Sequence, residues 1–454
     1  MTSLLVEPLL NRDFDSRPAV VYEALRNRYG PVAPVDLLGV PVWLVLGYPE
    51  ALEVLEDEQG IWSKRLDQWR GRQEGLIPPG WPPLAPYEVN NSMFQDGERL
   101  KRLRAAWSAG LEPFQDHARQ QARQLEFAVS RYADDLIGLM SEGGGRTGWA
   151  DLSAQYARPL SLMVVNRLLG FESVPKDDGV LMDMWRMLDA GPDAAAASER
   201  LLSAFTDLAS AAMERPGDDL PSYMIAANPS FTVDELAREL TMVVGFVGDI
   251  TGSLISNTAT EVLTGEAGAR ARLSSGLIKD VVDRVAMTSP PHANLTFRFP
   301  TVDVRLGQFT LMAGDPVVVS VAAAHGDPLF SGAVDSGAPQ ATHAHLAWGA
   351  GPHHCLGRQL ATTITMIAVS RLFQSFTRLE LALPADQLPW RSSPMMRGLR
   401  SLPVHFEVDR VVPPADSPAH VSDTGTHRLP VGPPRPPEQS RSALRKLLAA
   451  FRRA

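Results

Sequence analysis

The chain has 454 residues, 44% hydrophobic and 21% charged, which is globular and long enough for one large domain or two to three ordinary ones. Its net charge of −9 argues against a nucleic-acid binder, and its single cysteine excludes an internal disulfide and fits a reducing compartment, the cytoplasm. No basic stretch followed by an apolar one opens the chain, and no window is both charge-free and strongly apolar over a bilayer's width, so neither a secretory leader nor a transmembrane helix is expected.

In chain order, residues 32–45 (VAPVDLLGVPVWLV) alternate weakly and read as a small hairpin with Gly39 near its turn. Residues 77–86 (IPPGWPPLAP) read as a stiff extended loop. Apolar residues at helical spacing follow over 98–140 and, past a glycine connector at 143–145, over 151–213, as in Leu160, Met163, Val164 and Leu168. Thr232 and Glu235 form a capping box that opens a helix with no breaker before Thr264-Gly265, roughly 32 residues or about 48 Å at 1.5 Å per residue. Gly245, Gly248 and Gly252 make one stripe on it, with Asp249 beside them. That stripe suits either close helix packing or a bulky group against the backbone. Residues 297–321 read as short strands broken at Gly307 and Gly314. The fold class expected is mainly α with a small β region (α+β).

Residues 345–358 (HLAWGAGPHHCLGR) place the lone Cys355 just before a helix-like run. Unpaired N–H groups and the positive dipole end at a helix start favour thiolate, the form that binds soft metals. A buried free cysteine, a zinc site with His343, His345, His353 and His354, and a haem iron with a thiolate ligand all remain open on the residues alone.

Trp348-Gly-Ala-Gly-Pro-His-His-Cys355-Leu-Gly357 resembles the haem-binding loop of the cytochrome P450 family, Phe-Gly-x-Gly-x-His/Arg-x-Cys-x-Gly, with Trp348 at the phenylalanine. The order of elements resembles that family over about residues 15–410. The resemblance implies haem b between the long helix and the cysteine loop, a single large haem domain over 1–410, and Cys355 as the iron ligand. Trp348, Gly349, Gly351 and Gly357 would contact the cofactor from the loop, and Gly245 and Gly248 would face the porphyrin. Arg104, Arg298 and His353 would hold the propionates, although Leu100 stands where the family has a further histidine donor. Pocket walls would include residues 81–89, 245–251, 292–296 and 393–396.

Two positions depart from the family. Its Ala-Gly-x-Asp/Glu-Thr run puts Asp249 at the acid, Ile250 at the alcohol, and Thr251 one residue late; either a π-bulge shifts the register or the alcohol is absent. The family's Glu-x-x-Arg is Arg284 and Met287 here, and 330–346 holds no arginine to complete that ion triad. The chain thus resembles an atypical actinobacterial subgroup lacking the triad. The activity implied is oxidation of a small organic, secondary-metabolite substrate with electrons from a ferredoxin and ferredoxin reductase. The alternative is a haem-binding sensor or assembly partner with little turnover. An electron partner would dock on a basic patch of Arg99, Lys101, Arg102 and Arg358.

The C-terminal residues differ from the body. Residues 411–454 hold seven Lys/Arg against three Asp/Glu, so the tail carries +4 and the remainder −13. Residues 411–439 read as a proline-rich disordered linker, and 440–454 (SRSALRKLLAAFRRA) as a basic amphipathic helix that orders on an acidic partner or membrane surface.

Overall fold

The computed structural model describes residues 6–10, 12–84, 88–142, 146–171, 178–189, 193–265, 269–335 and 344–408. The runs either side of Leu38-Gly39 pair as an antiparallel hairpin, Val32–Leu37 with Val40–Val45, Val35 opposite Val42. Leu38 and Gly39 both have positive φ, 55° and 86°, the turn whose twist matches the strands. Glu7–Pro8 pairs parallel with the first strand of the hairpin and Val317–Val319 with the second, giving four strands in one sheet. Residues 297–321 break at the expected glycines: Gly307 turns Val304–Leu306 back on Phe309–Leu311, and Gly314 precedes Val317–Val319. A second sheet sets Pro403–Glu407 between Arg378–Leu381 and Thr147–Asp151.

The remainder is mostly helical, as the periodicity predicts. Gly97–Gln115 and Gln120–Met140 fill the first predicted stretch. The second divides into Arg158–Leu168, Asp178–Asp189 and Ala194–Glu214. One apolar cluster gathers the helices, including Leu160, Val164, Leu254 and Ile364, each at most 2% exposed. Two smaller clusters lie against the four-stranded sheet. Trp81 belongs to one of these. It stacks on Phe297 and meets Trp69 edge-on, and its indole donates to Leu38 O at 3.2 Å. The expectation of a pocket wall there is corrected: a large amphipathic ring with an acceptor in reach is more stable in the core.

The long helix starts and stops where its caps predict. Thr232 Oγ1 accepts from the Glu235 N–H at 3.1 Å, worth about 1 kcal/mol, and Gly265 closes it with φ 71°. Its 32 residues have an apolar stretch of mean hydropathy 1.3, long enough to cross a membrane, where the sequence was expected to hold none. Within the fold, 61% of that stretch is buried, and Ile255, Ala259 and Val262 are at most 1% exposed. Its apolarity is that of a core helix. Between Val233–Val243 and Gly252–Thr264 the backbone is a π-helix, Val244–Thr251.

Candidate functional site

Between this π segment and the cysteine loop lies a cavity with a predominantly apolar wall. The loop is shaped by its own hydrogen bonds. The Cys355 N–H donates to Trp348 O and the Gly349 N–H to Leu346 O, both at 2.8 Å. Gly349 and Gly351 take φ of 70° and 62°, which side chains rarely tolerate. A Cβ on Gly351 would also lie 2.3 Å from Leu55 O. Gly351 therefore seats the loop on the Tyr48–Glu56 helix and does not line the cavity, correcting its assignment as a cofactor contact.

Cys355 lies in the cavity wall immediately before the Arg358–Ser375 helix. The N–H groups of Gly357 and Arg358 and the charges of Arg104 and Arg358 pull the thiol's pKa down, as the sequence suggests. Burial outweighs them and pushes it up. A metal cation bound at the sulfur would pull the other way and hold it as thiolate. Trp348, Gly349, His353 and Gly357 line the same cavity.

The long helix presents Phe246, Val247, Ile250, Thr251 and Leu254 to the cavity. Gly245 and Gly248 are not on that wall, which corrects their assignment. Gly248 and Gly252 meet the Arg158–Leu168 helix instead: Ser161 Oγ donates to Gly248 O at 2.6 Å, and a Cβ on Gly252 would lie 2.9 Å from Ser161 Oγ. Close helix packing is the cause at these two positions, while a Cβ on Gly245 would meet nothing within 4 Å. The π turn also decides the register left open by the sequence. Thr251 is on the cavity wall, its Oγ1 donating to Phe246 O at 3.1 Å. Asp249 turns away and pairs with Arg391 at 2.6 Å, 12% of its side chain exposed. It is adjacent to the cavity and not part of its lining, a correction to its placement with Thr251.

One edge of the cavity is basic. Arg104, Arg298 and His353 meet there, as the resemblance implies, and Lys64 joins them. Arg104 donates to His354 O at 2.6 Å. His353 titrates well below its ordinary range, first through burial and then through Lys64, Arg298 and Arg104, so at neutral pH it offers a neutral ring. His292, Leu295 and Thr296 line the wall, residues 393–396 do not, and Met93, Trp107, Leu220 and Met242 were not foreseen. These four come from four separate helical elements, Ser92–Phe94, Gly97–Gln115, Leu220–Ala227 and Val233–Val243, and no local motif marks them. The Trp348 indole N–H is buried without an acceptor. Apolar faces, a cationic edge and one sulfur form the donor set for a flat apolar macrocycle with acidic substituents and a thiolate-bound metal; haem fits it.

Where the family's ion triad would stand, a neutral histidine ties the parts together. Leu346 N–H donates to His325 Nε2 at 2.8 Å, so the proton is on Nδ1, which donates to Met287 O at 2.8 Å. Burial pushes its pKa down to about 4, and the ring stacks on Phe330 at 5.1 Å. Arg284 turns to Glu261 on the long helix, Nε to Oε1 3.2 Å. Among the described residues no cluster of three or more His, Cys, Asp or Glu could hold a metal ion, which removes the zinc reading there; His343 lies outside them.

No family model matches the chain. Cytochrome P450-SU2 of Streptomyces griseolus is 30% identical over 286 residues, covering 61% of this chain and 68% of its own. The 2-hydroxy-5-methyl-1-naphthoate 7-hydroxylase of Streptomyces carzinostaticus is 29% identical over 398 residues, covering 83% of this chain and 92% of its own. Among solved structures, CYP154C4 from a Streptomyces species superposes with TM-score 0.75 and 26% identity, covering 89% of this chain and 99% of that one. Sharing sequence and fold with these proteins along most of its length, and keeping a cysteine at the floor of the cavity beneath its long helix, the chain belongs to the cytochrome P450 family and is a P450-type monooxygenase.

Proposed function

We propose that the chain inserts an oxygen atom into a small, largely apolar organic molecule of secondary metabolism, in the cytoplasm, with haem b as cofactor and electrons from a ferredoxin and its reductase. The observation that carries this reading is Cys355 in the wall of an apolar cavity that Thr251 also lines. Haem, when bound, supplies dioxygen activation, helped by electron donation from the thiolate. The rest falls to the chain. Cys355 ligates the iron, with Trp348, Gly349 and Gly357 around it, and Arg104, Arg298 and His353 hold the propionates. Phe246, Val247, Ile250 and Leu295 exclude water and seat an apolar substrate. Thr251 holds a hydroxyl at the cavity wall, and Asp249, beside the cavity and paired with Arg391, is the acid from which protons are resupplied. The naphthoate hydroxylase acts on a compact aromatic acid by its name, and the present walls suit a molecule of similar character. The alternative of a haem-binding protein with little turnover draws on the missing alcohol at 250 and the missing ion triad; Thr251 in the cavity wall weighs against the first of these.

The test is spectroscopic. Reduced protein with carbon monoxide should show the strongly red-shifted Soret band of thiolate ligation, and Cys355→Ala should lose it. Survival of that band in the variant would refute the assignment of Cys355.

A further inference from the structure

We propose that Lys64 is an anion-binding residue of the cofactor site, its ammonium meeting a haem propionate, a role that rests on the haem reading above. The strand Trp62–Ser63 pairs with Phe299–Pro300, Ser63 opposite Phe299, and this register brings Lys64 beside residues 296–298. The residue is 6% exposed and its Nζ donates to Thr296 Oγ1 at 2.6 Å. The Phe94 ring lies 6.0 Å away. An ammonium has three N–H groups to satisfy, and one hydroxyl and one ring face leave it short of acceptors.

No ion pair involves Lys64 among the described residues. The Asp96 carboxylate, whose field reaches it, is already engaged by Ser63 Oγ and by the Lys64 backbone N–H. Burial depresses the pKa of Lys64, and the charges of Arg298 and Arg104 depress it further. Lys64 shares this low-dielectric cavity with Arg104 and Arg298, and an anion bound there would offset the positive charge they gather. Lys64, Arg104, Arg298 and His353 all line the cavity that holds Cys355. A group ligated by that sulfur and carrying carboxylates at its edge supplies the missing charge. Leu100, apolar and 4% exposed on the same cavity, supplies no donor; Lys64 supplies one from a different element.

The experiment compares two porphyrins in two proteins. Wild type and Lys64→Met are loaded with haem or with haem dimethyl ester, and release to a scavenging apoglobin is timed. Losing one charge-assisted bond should speed haem release about tenfold in the variant, while the diester should leave both proteins at one rate. Equal haem release, or equally faster release of both porphyrins, would overturn the proposal, the second because it reports packing and not charge. Failure of the wild type to bind either porphyrin would sink the haem reading itself. If Lys64→Met does not fold, Lys64→Gln carries the same comparison.

Discussion

Asp249 and Arg391 form the most exacting contact near the cavity, because both side chains are largely shielded, 12% and 21% exposed, at 2.6 Å. Removing only the arginine leaves a buried carboxylate without a counter-charge. Arg391→Met should therefore cost ~3–5 kcal/mol in urea unfolding, and the added change Asp249→Asn should recover part of it. A loss below about 1 kcal/mol, the value of a surface pair, would contradict this. In turnover, Asp249→Asn should slow the oxygen-dependent reaction more than the peroxide-driven one, since peroxide brings its own protons. His325 gives a pH prediction. Its folded pKa of about 4 lies below the 6.5 of the unfolded chain, so its stabilising effect is full above 6.5 and is lost as pH falls from 6.5 toward 4. That loss amounts to roughly 3 kcal/mol at most, and His325→Gln, which also donates and accepts, should flatten the fall in urea midpoint over that interval. An unchanged pH profile in the variant would show that another group is responsible.

At the scale of elements, the long helix departs from its local sequence in one respect. Capping residues at both ends and an apolar interior define its length. The π turn at Val244–Thr251 rotates the following residues so that Thr251 and not Asp249 lines the cavity. Such a turn has no composition of its own; it is decided by what packs either side, here Ser161 against Gly248 and Gly252. The glycines test this. Gly252→Leu should push the Arg158–Leu168 helix away and cost ~1–3 kcal/mol by thermal melting. A Cβ on Gly245 meets nothing within 4 Å, so Gly245→Ala should leave haem occupancy unchanged and raise stability by up to ~1 kcal/mol. Lost haem in Gly245→Ala would place that glycine at the cofactor after all.

At the scale of the molecule, the expected basic docking face is partly self-neutralised. Arg99 and Arg102 share Glu235, at 3.7 and 2.6 Å, and Lys101 pairs with Glu98 at 2.7 Å, so two carboxylates meet three of its four cations. Reduction by an acidic ferredoxin should then fall with salt, less steeply than four unpaired cations would give, and a rate that does not change between low and physiological ionic strength would contradict electrostatic docking. The predicted linker and tail helix at 411–454 lie outside the described residues. The second sheet is closed by Pro403–Glu407 before them. Deleting 412–454 should therefore leave haem content and melting temperature nearly unchanged; loss of either would make the tail part of the fold.

Sequence alone determined the features governed by nearest neighbours in the chain. These are the hairpin turn at Leu38-Gly39, the Thr232 cap and Gly265 stop, the glycines around Cys355, and the sulfur itself. Each depends on backbone preferences or hydrogen bonds spanning a few residues, and a short motif records them. Tertiary structure alone decided the rest. Lys64 reaches the cavity only because residues 62–63 pair with 299–300. His325 replaces an ion triad only because its two nitrogens meet Met287 and Leu346, 38 and 21 residues away. Trp81 turns to the core, and Thr251 to the cavity, by packing against partners far along the chain. Charge neutrality and acceptor supply in a buried site are sums over all the elements that meet there, and no stretch of sequence carries that sum.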